Sequence, residues 1–365
     1  MKREFGFAIV GTGLISTTHY EQISAIEGAK VVAIYSRKEE KAKSLAKKAG
    51  ADWYTDYQEM LKRKDIDIVS IITPSGTHAD MAIEAARAGK HVIVEKPMDI
   101  SLEKAQQMID ICREHHVKLS VISQHRFDPP AVKIKEDIDS GKFGKMVLGQ
   151  AAVNWYRPQS YYDTSKWRGT IEMDGGGVLI NQTIHTIDLF QYFMGEVESV
   201  YAHTAILAHE RIEVEDVAVA TVKFKNGGLG TIVGTTAAYP GLSARLEIIG
   251  TNGTAVIEND QLLKHYLRNP SNETEAINLA DIENHNGGDR DHVSVDPLAL
   301  DGASHRLQFI DMLNAIQEDR EPFVNGEEGL KPLKIILAIY QSARTGQPVK
   351  ILQNALHAVK NLSKN

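Results

Sequence analysis

The stretch Phe5-Gly-Phe-Ala-Ile-Val10-Gly11-Thr-Gly13-Leu-Ile-Ser16 decides the fold. Its apolar start reads as a buried strand, the paired glycines as a tight turn, and the pattern over 15–26 as a helix. Gly11 permits the turn. Gly13 lets the backbone approach a pyrophosphate, which would rest on free amides and the dipole at the helix N-terminus. Ser16 replaces the third glycine of that fingerprint, which loosens the match. The strand before and the helix after raise the pattern above a chance turn. Gly11, Gly13, Leu14 and Ile15 are therefore candidate dinucleotide-binding residues.

Outward from this unit, strand-like runs at 31–36, 66–72, 91–95 and 118–122 alternate with helical patterns at 39–49, 78–88 and 102–115. The runs are β-branched and nearly continuous, as strands of a parallel sheet covered on both faces should be. Alternation of this kind predicts right-handed crossovers and a doubly wound α/β domain over 1–125. After Pro129-Pro130 the pattern changes. A helix over 131–140 leads into strands at 146–154, 197–205, 217–224, 230–237 and 244–250, with hairpin signals at Asn226-Gly227-Gly228 and Thr251-Asn252-Gly253. This predicts a second α/β domain over 126–365 with a large, mostly antiparallel open sheet packed on helices. Helices at 306–318 and 329–345 should pack back on the body of the protein, and 284–291 is the most loop-like stretch.

At 365 residues the chain has room for two domains of ~150 residues each. Hydrophobic residues at 42%, charged residues at 24% and a net charge of -7 fit an ordinary globular protein and argue against nucleic-acid binding. No long apolar segment suggests a secretory signal or a membrane span. The single Cys112 excludes an internal disulfide and fits a reducing compartment, so the expected location is cytoplasmic.

Four stretches carry candidate chemistry. At the end of the second strand, Ser36-Arg37 stands where an acid would bind the adenosine ribose and repel a 2′-phosphate. A hydroxyl and a guanidinium permit NADP, while an arginine stacked on adenine leaves NAD acceptable. The loop Thr73-Pro74-Ser-Gly-Thr-His78 lies at a strand's carboxyl edge, where ligands of such sheets bind, although a proline turn capping the next helix explains it equally well. In His91-Val-Ile-Val-Glu95-Lys96-Pro97-Met, a strand delivers an ammonium beside the dinucleotide site, which suits hydride chemistry on an alcohol. Finally, Gly175-Gly-Gly177 precedes Asn181, His185 and Asp188, which share one helix face at i, i+4 and i+7. A packed core histidine is the bland alternative for His185. Imidazole, with an ordinary pKa of roughly 6.5, suits proton transfer. A metal site on these three is disfavoured because a carboxamide is a poor ligand, so no metal is expected.

Together, the glycine turn, Thr73-Pro74…His78, Glu95-Lys96-Pro97 and Gly-Gly…His185…Asp188 resemble the glucose–fructose oxidoreductase/inositol dehydrogenase (Gfo/Idh/MocA) family over most of the chain. The resemblance implies an N-terminal Rossmann domain and a C-terminal α/β domain whose open sheet often forms the interface of a homo-oligomer, a dimer or tetramer. It implies that Lys96 lies between nicotinamide and substrate, with His185 as acid/base. Inositol dehydrogenases of the family carry an aspartate where this chain has Asn181, which weakens an inositol assignment. Trp167-Arg168-Gly169 and Gln124-His125-Arg126 are similar to members acting on sugars and nucleotide sugars. The expected activity is NAD- or NADP-dependent oxidoreduction of a sugar, sugar derivative or polyol. Lys96 and His185 would be catalytic, and Arg168, Asn181 and Asp188 would join them around the substrate. Ser36, Arg37, Thr73, Pro74, His78, Glu95, Lys96 and Gln124 would line the cofactor with the glycine turn. NAD-dependent glycoside hydrolysis and a non-catalytic cofactor-binding regulator share this fold; retention of Lys96 and His185 argues against the regulator.

Overall fold

A computed structural model describes residues 4–268 and 302–351, so the loop-like 284–291 stretch lies outside the described residues. Contacts divide the chain into two compact units, 1–127 with 167–176 and 300–333, and 128–166 with 177–299 and 334–365. Two later segments thus return to the N-terminal unit.

In the first unit, β1 (Phe5–Val10), β2 (Ala29–Tyr35), β3 (Asp52–Tyr54), β4 (Ile68–Ile71), β5 (His91–Val94) and β6 (Leu119–Val121) form a sheet in the order β3-β2-β1-β4-β5-β6. Every pairing in it is parallel. The helices are α1 (Ser16–Ser24), α2 (Glu39–Ala49), α3 (Tyr57–Leu61), α4 (His78–Arg87) and α5 (Leu102–Glu114). All of β1 is buried, as its unbroken apolar run requires of a central strand. Capping signals in the sequence act as expected: Ser101 accepts from the Lys104 amide at the start of α5, and Gly89 takes φ +73 just past α4. Phe5, Phe7, Ile9, Ile34 and Ile68 form the core with Phe309 and Met312. The last two come from the distant helix Ala303–Gln317, which fills this core from the C-terminal half of the chain. Strand order reverses direction between β1 and β4, and the crevice at the carboxyl ends there is where such sheets bind ligands.

In the second unit, α6 (Pro129–Asp139) leads into an eight-stranded sheet of order β13-β12-β11-β7-β10-β9-β8-β14. Its strands are β7 (Met146–Asn154), β8 (Val197–Ala205), β9 (Val217–Phe224), β10 (Leu229–Thr235), β11 (Ala244–Gly250), β12 (Gly253–Glu258), β13 (Gln261–Leu267) and β14 (Val349–Lys350). Among the described strands of this sheet only β7 and β10 pair in parallel. Alternating burial along β9 shows one face covered and one open. The covered face carries the helix α8 (Ile184–Met194), after the short α7 (Gln159–Asp163). A Cβ at Gly149 or Gly230 would lie 2.7 or 2.6 Å from the Phe190 ring, so these glycines let α8 seat closely on the strands. Two described helices follow β13 in the chain: α9 is the Ala303–Gln317 segment already met, and α10 spans Gly326–Thr345. No described helix is long and apolar enough to cross a membrane.

Candidate active site

In the first unit the glycine turn takes the form its sequence demands. Gly11 sits at φ +117, and a Cβ there would lie 2.7 Å from the Ile72 carbonyl oxygen, so the position requires glycine. At Gly13 a Cβ would meet only that oxygen, at 3.9 Å, and otherwise extend into open space. Ser16, at the expected third-glycine position, closes the turn: its hydroxyl donates to the Gly13 carbonyl at 2.6 Å. No side chain caps α1, although the Ser16 amide turns back to the Gly13 carbonyl at 3.2 Å; a helix start without a side-chain cap suits an anion. Leu14 is exposed, and Ile15 leans on the core. Ser36 is buried with its hydroxyl 3.0 Å from that of Thr12 and accepting from the Lys38 amide, whereas Arg37 is exposed.

Two loops flank Lys96. In the first, the Thr77 hydroxyl donates to the Thr73 hydroxyl and the Pro74 carbonyl, making a closed turn. His78 follows, 1% exposed, with Nδ1 2.8 Å from the Pro97 carbonyl and Nε2 2.7 Å from the Thr73 carbonyl. Both ring nitrogens therefore face backbone, and His78 fastens the loop after β4 to the loop after β5. Burial holds its pKa below the usual histidine value, whereas making both bonds at once requires the imidazolium. We favour the neutral ring, donating to one carbonyl. Glu95 is also turned inward, accepting from the Lys96 amide at 3.1 Å. Lys96 itself is half-buried at the carboxyl end of β5. Just past β6, Gln124 is buried with its side-chain oxygen unpartnered by protein. That orphan acceptor, the open space above Gly13 and the uncapped helix start fit a dinucleotide.

Arg168 also belongs to this first unit. It is half-buried with its guanidinium 5.4 Å from the Trp167 ring centre. Its segment is pinned by Gly169, which donates to Asp174 at 2.7 Å, and by the Gly76 amide, which donates to the Met173 carbonyl at 3.0 Å.

The second unit holds Asn181, His185 and Asp188. The expected continuous α-helix is modified: Leu179–Thr183 forms a π-helical turn that runs into α8. Such turns are rare and recur at functional sites, because the wider turn shifts the side chains that follow it. Asn181 and His185 are half-buried, and Asp188 is 3% exposed.

Glu215, which the sequence did not single out, anchors this turn. Its carboxylate accepts from the Gly177 amide at 2.8 Å, the Leu179 amide at 2.9 Å and the Tyr340 hydroxyl at 2.9 Å, and its carbonyl accepts from Val178. A Cβ on Gly177 would fall 1.7 Å from the Glu215 carbonyl oxygen, so that glycine serves close backbone approach. The adjoining Asp216 gathers the amides of Leu207, Ala208 and His209. Burial pushes the Glu215 carboxyl up from 4.5 to about 7. Because the folded-state value lies above the unfolded one, its stabilisation is complete below about pH 4.5 and is lost as pH rises through about 7. The shift corresponds to roughly 3 kcal/mol. Glu215→Gln should therefore reduce the loss of melting temperature between pH 5 and pH 8. Parallel pH dependence in the two proteins would contradict this.

Comparison with known proteins agrees with this fold. A family model described as the NAD-binding Rossmann fold of the Gfo/Idh/MocA oxidoreductases matches residues 5–123, and one for that family's C-terminal alpha/beta domain matches 135–351. The uncharacterized oxidoreductase YrbE of Bacillus subtilis strain 168 is 31% identical over 96% of this chain and 98% of its own. Myo-inositol 2-dehydrogenase of Thermotoga maritima is 31% identical over 69% of this chain and 74% of its own. Among solved structures, the WlbA dehydrogenase of Bordetella pertussis, in complex with NADH and UDP-GlcNAcA, is 33% identical with a TM-score of 0.83, covering 96% of this chain and 99% of that one. With both of its domains matched, the chain belongs to the Gfo/Idh/MocA family of oxidoreductases and carries that family's NAD-binding domain.

Proposed function

We propose that the protein is a dehydrogenase of a pyranose sugar or sugar conjugate, oxidising a secondary alcohol to a ketone with NAD. The observation that carries this reading is the setting of Lys96. It stands at the carboxyl end of β5 in the cofactor unit, with the backbone fixed before it by Glu95 and after it by His78. Bound nicotinamide supplies the two-electron acceptor. Lys96 hydrogen-bonds the reacting oxygen and stabilises its developing negative charge, a contribution of ~3–4 kcal/mol in a preorganised site. His185 takes the hydroxyl proton. Arg168 orients the sugar, with Asn181 and Asp188 as further polar contacts. A sugar conjugate is favoured because the WlbA relative holds UDP-GlcNAcA and because Asn181 replaces the aspartate expected of inositol dehydrogenases. The open face of the eight-stranded sheet, with Tyr201, Val219 and Leu229 exposed, supports a homo-oligomer.

Steady-state assays with UDP-GlcNAcA, free aldoses and inositols, each with NAD and NADP, test the proposal. Turnover should consume free cofactor, which neither a glycoside hydrolase recycling bound NAD nor a regulator would do. NAD is the expected partner, with NADP tolerated through the exposed Arg37. Arg37→Asp should therefore weaken NADP binding far more than NAD binding. Equal losses for the two would show that Arg37 does not read a 2′-phosphate.

A further inference from the structure

Glu95 introduces a carboxylate into the interior of the first unit, between a strand and the lysine on which the proposed chemistry depends. Such a group costs several kcal/mol to bury unless its lone pairs are well matched. One oxygen, Oε2, takes the backbone amide of Lys96 at 3.1 Å. The other, Oε1, lies 3.0 Å from Nε2 of His19 and 3.8 Å from Nε2 of His305. Both histidines are buried, His19 completely. His19 belongs to α1, the helix that follows the glycine turn, and its Nδ1 is 2.8 Å from the Ser70 hydroxyl on β4. With Nε2–H donating to Glu95, Nδ1 is left to accept from Ser70, so one tautomer serves both bonds. His305 stands in the first turn of α9, its ring 5.7 Å from that of His19, while the Phe309 ring packs edge-on against His19 at 5.2 Å. The carboxylate thus joins α1 to the amide of Lys96, with His305 of α9 at ion-pair distance and β4 reached through His19.

We infer that His19 and His305 are positioning residues, which fix the Lys96 backbone by holding the Glu95 carboxylate against its amide. The inference rests on the proposed role of Lys96. Burial alone would raise the Glu95 carboxyl, but the two histidines outweigh it and hold the group well below the usual carboxylate range. Burial also keeps His305 low, with His19 and His125 acting in the same direction and Glu95 opposing. An anionic Glu95 that accepts from Nε2 of His19 is the state we assign. The donor atoms of His19, Glu95 and His305 lie within 4.8 Å of one another, a spacing that a metal ion would also accept. The direct His19–Glu95 hydrogen bond, and the use of Oε2 by the Lys96 amide, favour a closed network instead.

A double-mutant cycle tests the inference. His305→Leu should lower kcat about 10–100-fold, the scale expected when a reacting group is displaced by around an ångström, and leave substrate KM within about twofold. His305→Gln, which retains a donor, should recover most of that loss. NADH binding, followed by fluorescence, should be unchanged in both variants. Because His305 acts through Lys96, adding His305→Leu to Lys96→Met should lower kcat no further. Multiplicative losses in the double variant would overturn the inference, as would equal damage in the Leu and Gln variants or a stoichiometric metal in the purified protein. Full turnover by Lys96→Met alone would overturn the role of Lys96 and this inference with it. A crippled Lys96→Met beside a normal His305→Leu would overturn only the inference.

Discussion

Lys96→Met lowers kcat/KM by roughly 10²–10⁴-fold, the loss expected for a positioned group that acts on the reacting oxygen. Methionine keeps the length and the apolar stem of the side chain and removes the ammonium. The surrounding structure should tolerate the change. Glu95 holds the backbone amide at position 96, which every residue but proline provides, and His78 holds the carbonyl of Pro97 rather than any atom of the lysine side chain. Melting temperature and NADH affinity should therefore stay near wild type. The loss should fall on kcat more than on substrate KM, because the charge on the oxygen develops only as the reaction proceeds. Near-normal turnover by this variant, or unfolding together with the loss of activity, would end the assignment.

The first domain was legible because its signals are local. The apolar runs at β1, β2, β4, β5 and β6 declare themselves as strands, and the glycine turn takes the tight form that Gly11 predicts. The short β3 carries no such signal, because Asp52-Trp-Tyr54 offers no apolar run; two of its residues are exposed at the sheet edge. In the second domain, β7, β8, β9 and β11 have the boundaries their sequence predicts, since alternation marks a half-covered sheet. The turn signal at Thr251-Asn252-Gly253 leads into the β12–β13 hairpin, but there is no strand signal in β13, which shows neither strict alternation nor buried positions.

What sequence periodicity could not show is long-range return. Residues 167–176 and 300–333 fold with the N-terminal unit, and only tertiary contact reveals this. The site shows the same divide. Lys96 and Gly13 could be found from their neighbours in sequence. His19, Glu215 and His305 could not, because each acts on a partner 38 or more positions away. Ser36 illustrates a further limit. Its hydroxyl suggested a phosphate contact, yet in the structure it is buried and engaged with Thr12 and the Lys38 amide. The π-helical turn at Leu179–Thr183 has no compositional signal in this chain; it coincides with capture of the Gly177 and Leu179 amides by Glu215.

Substituting His185 by alanine should cost a similar 10²–10⁴-fold in kcat/KM, and its loss should flatten the pH dependence near neutrality that a titrating base imposes. The sharper experiment is at Asn181, one helical step earlier on a half-buried turn. An asparagine there accepts a hydrogen bond but brings no charge. Asn181→Asp places a carboxylate near the imidazole, favours its protonated form and raises its pKa. Oxidation needs the unprotonated base, so the acidic limb of the pH–rate profile should move to higher pH in the variant. The carboxylate would also accept strongly from a polyol hydroxyl. Activity on myo-inositol, expected to be poor in the wild type, should therefore rise relative to activity on a sugar conjugate. The substitution is nearly isosteric, so little change in folding is expected, and a shift in the profile reports on the base itself. Two results would defeat this reading: a profile unmoved by Asn181→Asp, which would mean another group holds the histidine, or a wild-type enzyme that already prefers myo-inositol to every sugar tested.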